Sequence, residues 1–495
     1  MALRQSPGIP LSELLAGLDT SLGAIPVSGL QLDSRCLSGG DAFLAMPGDV
    51  HDGRDYLAAA ADAGASVIIA ETGVSEIQRR AAAGVPLVEL DDLAGRLGLI
   101  ADHFYGSPSH AMHLVGITGT NGKTTTSRLL AQLLRRQYQQ CGVIGTLGAT
   151  LGDSVDDAVN TTPDALSLQR QLADWHALNV GHAVLEVSSH SLVQGRVNGL
   201  QFDTAVFTNL THDHLDYHGD MENYGLAKST LFRAPGLAAA VINMDDPFAD
   251  KLLDVLDPGV ELLGYSLARA DVALRAADIV YHDSGLEAEV STPWGEGLLH
   301  SPLAGDFNLA NLLAAIGAAC VAGMPFTRAL EAARDLSGVA GRMEYVHNDR
   351  DLQLVVDYAH TPDALEQALQ ALRAHTAGQL ICVFGCGGDR DADKRPVMGC
   401  IASENADRVI ITSDNPRNEA PLEIIADIEA GCSGQPEVEA DRAAAIRRAV
   451  TSARPGDCVL VAGKGHESYQ QIGSERLSFS DSAQIRFALA GEDAQ

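Results

Sequence analysis

The 495-residue chain is short of lysine, of close cysteine pairs and of long apolar runs. Only five lysines occur, Lys123, Lys228, Lys251, Lys394 and Lys464, so arginine supplies the other 29 of the 34 cationic side chains. Set against 65 carboxylates, these leave a formal charge of −31. Such an excess excludes a generally basic nucleic-acid surface and argues against an anionic membrane as partner. It leaves open a small anionic substrate held by a few concentrated cations. The eight cysteines are scattered from Cys36 to Cys458 with no C-x-x-C, and their one close pair is Cys382 and Cys386. Neither a zinc site nor a disulfide framework is suggested, which fits a reducing compartment. No stretch reaches about 18 apolar residues, and the first residues lack the apolar run of a signal peptide. No membrane span is expected, and a cytoplasmic location is the default.

What is present is a globular composition, 46% hydrophobic and 20% charged. At roughly 150 residues per domain, the length suits about three domains. Short apolar runs alternate with helical patterns, the βαβ rhythm of parallel sheets covered by helices. Three blocks can be drawn, at 1–88, 89–338 and 339–495. Strands are expected near 65–70 and 85–90 in the first block. The second has candidates near 114–118, 143–146, 183–187, 205–208 and 240–243, with an antiparallel addition at 278–281 and 286–290. The third has candidates near 352–357, 380–384, 408–412 and 458–462, with a helix beginning at Pro362. The fold class is α/β: a smaller N-terminal domain, a central P-loop ATPase-type domain with a mostly parallel sheet, and a C-terminal Rossmann-like domain.

The strongest local signal is Gly116-Ile-Thr-Gly119-Thr120-Asn121-Gly122-Lys123-Thr124-Thr125-Thr, which follows a strand and opens a helix. Glycines let backbone N–H groups close around phosphate oxygens, and the helix N-terminus adds partial positive charge. Lys123 is placed to reach the terminal phosphates, and the Thr124 hydroxyl to reach Mg²⁺. Residue 117 is Ile, so the strict G-x4-G-K-[ST] spacing is not met. Glu186 closes a strand in Leu-Glu186-Val-Ser188-Ser-His, where a carboxylate can serve Mg²⁺. The cluster His212-Asp-His214-Leu-Asp-Tyr-His218 admits three readings: a metallohydrolase site, a solvated loop, or a second source of Mg²⁺ ligands beside Thr124 and Glu186. Lys228, in Tyr224-Gly-Leu-Ala-Lys228, reads by itself as an ordinary helix-surface lysine.

The loop T-G-T-N-G-K-T-T resembles the ATP loop of the Mur ligases and folylpolyglutamate synthetases, and further motifs carry the Mur resemblance over nearly the whole chain. The resemblance assigns His214 to Mg²⁺ and Lys228 to the lysine that reacts with CO2 to give a carbamate, so the implied metal set is Thr124, Glu186, His214 and carbamylated Lys228. Lys123, Lys228, Glu186 and His214 are the catalytic residues it implies. Asn243-Met-Asp-Asp246 and Gly305-Asp-Phe-Asn308-Leu-Ala-Asn311 resemble adenine-contacting segments, although helix capping is an equal account of Asn308. Gly341-Arg342 resembles the junction arginine that contacts nucleotide phosphates, and Asp357-Tyr-Ala-His360 a segment that closes over the nucleotide. For the UDP-linked acceptor, Asp33-Ser34-Arg35, the loop Asp49–Arg54 with His51, Asn160-Thr161-Thr162-Pro163, Ser188 and Gln194-Gly-Arg196 resemble binding positions. N-T-T-P alone is also a good turn.

The discriminating signal lies in the third block, where Cys386-Gly-Gly-Asp-Arg390, Asp414-Asn415-Pro416-Arg417 and Gly463-Lys-Gly-His-Glu467 each follow a strand. They are expected together at the carboxyl edge of one sheet. D-N-P-R resembles the motif of the branch that adds meso-diaminopimelate. A fixed guanidinium suits the second carboxylate of that amino acid, whereas lysine would offer an ammonium there. The resemblance thus implies an ATP- and Mg²⁺-dependent ligase of peptidoglycan precursor synthesis. It would join meso-2,6-diaminopimelate to the D-glutamate γ-carboxylate of UDP-N-acetylmuramoyl-L-alanyl-D-glutamate through an acyl phosphate. A monomer with small-molecule partners only, neither nucleic acid nor membrane, is expected. The competing readings are a lysine-adding Mur ligase, a folylpolyglutamate synthetase, a P-loop ATPase or metallohydrolase, and a non-catalytic nucleotide-binding module.

Overall fold

A computed structural model describes residues 8–15, 23–48, 51–82, 84–152, 154–156, 160–282, 285–373 and 375–491. The first seven residues, and Asp49 and Val50 of the expected acceptor loop, lie outside the described residues. The chain divides into two compact units. One comprises Met1–Gly116, Gln140–Thr204 and Arg233–Ala238; the other comprises Ile117–Gln139, Ala205–Phe232 and Ala239–Gln495.

In the first unit, β1 (Gly29–Gln31), β2 (Asp41–Ala45), β3 (Val67–Glu71) and β4 (Leu87–Leu90) form a parallel sheet in that order. All five residues of β2 and the first four of β3 are buried, as parallel strands covered on both faces require. On one face Leu30, Leu44 and Ile69 meet helix α1 (Leu93–Tyr105) through Leu93, Leu97, Ile100 and Ala101. On the other, Phe43, Ile68 and Ala70 cover Leu57 and Ala60. Helix α1 begins where the Asp92 carboxylate accepts the Gly95 N–H and stops at left-handed Gly106, a start and stop that these residue types favour. The first block's core therefore runs past residue 88, which lies inside β4.

After β5 (His113–Thr118) comes helix α2 (Lys123–Tyr138), followed by β6 (Gly142–Gly145), β7 (Gly148–Leu151), β8 (Ser154–Asp156), α3 (Ala165–Ala177) and β9 (His182–Glu186). β9 lies parallel to β6, with Leu185 opposite Ile144, while β6, β7 and β8 are joined antiparallel.

The second unit continues with β10 (Thr204–Phe207), α4 (Met221–Ser229), β11 (Ala239–Asn243), β12 (Glu261–Ser266), β13 (Leu274–His282), β14 (Gly285–Thr292), β15 (Gly295–Ser301) and α5 (Asp306–Val321). β11, β12 and β13 are parallel neighbours, and β13, β14 and β15 form an antiparallel meander. The expected antiparallel addition is thus larger than the two short segments read from the sequence. Its third strand, G-E-G-L-L-H-S, has no period-two pattern to reveal it.

The remainder of this unit contains β16 (Gln353–Asp357), α6 (Pro362–Arg373), β17 (Leu380–Phe384), α7 (Lys394–Asn405), β18 (Arg408–Ile411), α8 (Arg442–Ser452) and β19 (Cys458–Ala462), then the hairpin β20 (Tyr469–Ile472) and β21 (Glu475–Ser478). The parallel order is β16-β19-β17-β18, so the last of the four strands to be made sits in the interior. Beneath its carboxyl edge the fully buried pair Arg442–Asp481 closes at 2.7 Å. Arg442 also donates to the carbonyls of Ala462 and Ser413, tying the ends of two strands together.

Candidate active site

The nucleotide loop lies between β5 and α2, whose helix begins at Lys123. Gly122 has φ +84, and a Cβ there would run into the Asn311 side chain. Glycine alone permits both the turn and the approach. The Lys123 ammonium donates to the carbonyls of Gly119 and Thr120, each at 2.9 Å, so it lies over the loop that opens the helix. Asn121 N–H donates to Asn209 Oδ1 at 2.9 Å, and its side-chain amide to Asp363 Oδ2 at 3.1 Å. Thr124 is buried, and its hydroxyl lies 3.5 Å from Arg342 Nη2. The Arg342 guanidinium stacks 4.1 Å above the Tyr358 ring, which lies 5.2 Å from the ring of His466. Asn308, in the first turn of α5, donates its side-chain amide to the Ala304 carbonyl at 2.8 Å; that helix start has no side-chain cap bond. Asn311 reaches helix α2 instead, accepting from the Thr126 hydroxyl at 3.2 Å.

Lys228 is not the surface residue its helical context suggested. Only 1% exposed, it donates to the Gly119 carbonyl at 2.8 Å and lies 4.2 Å from the centre of the Tyr224 ring. The Tyr224 hydroxyl in turn meets Thr120 Oγ1 at 3.2 Å. Among the described residues no carboxylate stands within ion-pair distance of Lys228. Burial and the charge of Lys123 hold its pKa well below the usual lysine value, against the opposing pull of Asp213. A buried amine so placed gives up its proton more readily than a free lysine, and its neutral form is nucleophilic.

His214 lies 3.3 Å from Asp213 and adopts φ +55. Burial lowers its pKa to about 4, outweighing Asp213, so the ring is neutral at neutral pH and can lend a lone pair. Burial alone would raise the Asp213 pKa, yet the charges of His214, His360, Lys394 and Lys123 hold it below the ordinary carboxylate value. His212 pairs with Asp391 at 3.1 Å, and His218 stacks against Tyr224. Among the described residues no three His, Cys, Asp or Glu side chains gather as a self-contained metal site, so the metallohydrolase reading of this segment has no geometric support.

In the first unit, Glu186 ends β9 fully buried, accepting from the Thr146 hydroxyl at 3.0 Å and its N–H at 3.2 Å. Around it lie the expected acceptor residues. Thr161 and Thr146 hydroxyls meet at 3.1 Å, Thr162 donates to the Glu186 carbonyl at 2.7 Å, and Ser188 N–H donates to Thr162 at 3.1 Å. Arg196 donates to the Thr162 carbonyl at 2.8 Å, and Gln194 ends the short helix that Ser188 caps. Asn160 is exposed at the start of this turn. Ser34 and His51 have no hydrogen bond to this cluster among the described residues. Instead, Asp33 holds the exposed Arg35 guanidinium with three bonds, which lower the Asp33 pKa to about 2.

The three loops expected from the third block do emerge side by side from β17, β18 and β19. Asp414 and Asn415 are buried, and the Asp414 carboxylate accepts the Asn415 N–H at 2.7 Å. The Asn415 carbonyl accepts from Gly388, which joins the first two loops and sets Pro416 against Gly388. Arg417 is left-handed at φ +50 and donates Nη1 to the Gly388 carbonyl at 2.7 Å. The hairpin β20–β21 fixes that backbone, with Arg417 N–H bonded to Gln471 and Gly473 N–H to Arg417. Arg390 is exposed, its guanidinium 3.5 Å from the Asp389 carbonyl. Gly463 turns at φ +114 beside Asp414, where a side chain would crowd that carboxylate. Glu467 bonds Asn415 at 2.8 Å and Lys464 at 2.7 Å. Sequence reasoning did not select Thr146, Asp213, Tyr358 or Lys464 as site residues. Their signal was only adjacency to a motif, since their roles depend on burial and on chain segments distant in sequence.

Residues 117–319 match the Mur ligase middle domain, 341–465 the Mur ligase glutamate ligase domain, and 26–105 the Mur ligase family catalytic domain. The chain is 46% identical to the UDP-N-acetylmuramoyl-L-alanyl-D-glutamate–2,6-diaminopimelate ligase of Coxiella burnetii, over 97% of this chain and 99% of that one. Its identity to the ligase of the same name from Pseudomonas aeruginosa is 48%, over 93% and 94%. A solved structure bearing that name shares 37% identity and a TM-score of 0.71, covering 98% and 99% of the two chains. The same fold recurs at 18% identity and TM-score 0.67 in a MurF ligase from Thermotoga maritima in complex with ADP, over 94% and 97%. Sharing nearly half its residues with such relatives over almost its full length, the chain belongs to the Mur ligase family.

Proposed function

We propose that this protein is the ATP-dependent ligase that joins meso-2,6-diaminopimelate to the D-glutamate γ-carboxylate of UDP-N-acetylmuramoyl-L-alanyl-D-glutamate. The observation that carries the reading is the loop Asp414–Arg417 set beside Gly463–Glu467, in the same compact unit as a P-loop with Lys123 and Thr124 in place. Arg417 has Nε and Nη2 to offer a carboxylate, since among the described residues only Nη1 is hydrogen-bonded, and a guanidinium fork suits the distal end of diaminopimelate.

A carboxylate is a poor electrophile. Its oxygen first attacks the γ-phosphorus of ATP, breaking the bond to the β-phosphate oxygen and releasing ADP. The amine of diaminopimelate then attacks the acyl carbon, loses a proton, and the tetrahedral intermediate expels phosphate to leave the amide. No enzyme nucleophile is needed. Lys123 and Arg342 neutralise phosphate charge, the acceptor residues Asn160, Thr161, Thr162, Ser188, Gln194 and Arg196 orient the carboxylate, and positioning supplies much of the acceleration. Ser34 and His51 extend the acceptor site to the uridine nucleotide.

Taken singly, the donors are of types that a divalent cation accepts: a buried threonine hydroxyl, a buried carboxylate and an imidazole that stays neutral above about pH 4. Thr124, Glu186 and His214 would hold Mg²⁺, which neutralises charge building on the transferred phosphate when bound. The neutral Lys228 amine can attack CO2, forming an N–C bond and losing one proton, to give a carbamate that supports a second ion. The three-part division is retained, with the first domain extended through helix α1. We place the reaction in the cytoplasm and take the protein as a monomer that binds neither nucleic acid nor membrane; among the described residues no helix is long and apolar enough to cross one.

The test is phosphate release from ATP with the UDP-muramoyl dipeptide and either diaminopimelate or lysine. Release dependent on both acceptor and diaminopimelate is expected. Equal rates with lysine would overturn the amino-acid assignment, and release without acceptor would favour a simple ATPase.

A further inference from the structure

We infer that Lys464 is a positioning residue for the amino-acid substrate, acting through Glu467 and Asn415; the inference rests on the reading of these loops as the amino-acid site. Lys464 follows β19 and is 0% exposed. Burying an ammonium costs several kcal/mol, and replacing a buried ion pair by apolar residues of like volume is often neutral or stabilising. Stability is therefore a poor account of a lysine here, in a chain that has only five.

What the ammonium does is close a ring of hydrogen bonds. It donates to Glu467 Oε2 at 2.7 Å and to Asn415 Oδ1 at 2.9 Å. Asn415 Nδ2 donates back to the same Glu467 oxygen at 2.8 Å, and Gln471 N–H to Asn415 Oδ1 at 2.9 Å. The Asn415 amide has one orientation that satisfies this ring, because Oδ1 faces two donors and Nδ2 a carboxylate. Glu467 Oε2 takes both bonds from the protein, and Oε1 has no hydrogen-bond partner among the described residues. The Glu467 side chain is 16% exposed. Lys464 thus turns Glu467 into a one-sided acceptor, its inner oxygen saturated and its outer oxygen left for an ammonium. Because the Lys464–Glu467 pair is neutral as a whole, it offers an acceptor without drawing free cations. That suits a zwitterionic amino-acid end, with Arg417 to take a carboxylate. Removing the lysine would open the ring, leaving Glu467 on its bond from Asn415, and would change the charge that the substrate meets.

The experiment measures initial rates of the whole protein with ATP and the UDP-muramoyl dipeptide while varying diaminopimelate. In Lys464→Met the KM for diaminopimelate is expected to rise at least tenfold, the KM for ATP to stay within twofold, and kcat to fall by less than the KM rises. Added to Glu467→Gln, Lys464→Met should worsen the amino-acid KM by no more than twofold, because both changes break one ring. An unchanged amino-acid KM, an equal rise in the KM for ATP, or fully multiplying effects would overturn the inference. If Lys464→Met does not fold, Lys464→Gln and the double variant are read by the same criteria. Absence of diaminopimelate-dependent turnover in the unaltered protein would instead overturn the substrate reading, and the inference with it.

Discussion

Lys228 and Lys464 are equally buried, yet their surroundings are opposite. Lys228 faces a carbonyl and an aromatic ring, with the cation Lys123 near and, among the described residues, no carboxylate in ion-pair range. Lys464 faces a carboxylate and a side-chain amide oxygen. At Lys228 burial outweighs the pull of the more distant Asp213, whereas Lys464 has a carboxylate at 2.7 Å. Burial therefore acts on an amine without an ion-pair partner among the described residues at one site and on an ion pair at the other. A lysine's role is set by what accepts from it: for Lys228 the Gly119 carbonyl, 109 residues away, and for Lys464 both the nearby Glu467 carboxylate and Asn415, 49 residues away.

The largest expected effect tests the reactive side. Lys228→Ala should lose activity by on the order of 10²–10³-fold, the scale of removing one charge-stabilising group. A short carboxylic acid such as acetate should restore part of it by standing in for the carbamate. Lys228→Arg should be as inactive as alanine, since a guanidinium stays protonated and does not take up CO2. The same acid should leave Lys464→Met unaided. Full activity in Lys228→Ala, or equal rescue of both variants, would erase the distinction between the two lysines.

A smaller effect sharpens the fixed-cation side. Arg417→Ala should raise the KM for diaminopimelate by about 10–100-fold, the range of a lost charge-assisted hydrogen bond, with the KM for ATP little changed. Parallel rises in both constants, measured in the same assay, would mean that the loop supports the whole unit rather than one substrate.

The smallest effect concerns burial at another titratable group. His182, at the start of β9, has its pKa lowered to about 4 by burial first and then by the charge of His113, against Asp203. Between about pH 6.5 and 4 the unfolded chain binds the proton that the folded chain refuses, so stability falls as pH falls through that window. A thermal melt should lose about 2 °C between pH 7 and 5 on this account, and His182→Asn should flatten the slope. A slope unchanged in that variant would assign the loss to other groups.

The β-strands of the last block were legible nearly to the residue, because fully apolar five-residue runs such as Leu380–Phe384 and Cys458–Ala462 allow no other register. The placement of D-N-P-R beside G-K-G-H-E followed from the same pattern, since loops after parallel strands gather at one edge. Strand β15 was not legible, as glycines and a histidine break its alternation. The burial of Lys228 was also hidden: helix α4 carries little amphipathic signal, and the Gly119 carbonyl that Lys228 meets lies 109 residues earlier. Tyr358 and Asp213 were invisible for a similar reason, because a stacked guanidinium and a shared electrostatic field have no sequence spacing.

The strand order β16-β19-β17-β18 sets a timetable for synthesis. Strand β19 is made after the three neighbours it joins or supports, yet it fills the gap between β16 and β17. Until residue 462 has left the ribosome, those two strands have open edges facing one another and the third loop of the amino-acid site does not exist. The nascent chain must shield two open edges while the more than seventy residues between Phe384 and Cys458 are added. Amino-acid recognition is thus the last property the polypeptide acquires, well after its nucleotide loop has been translated.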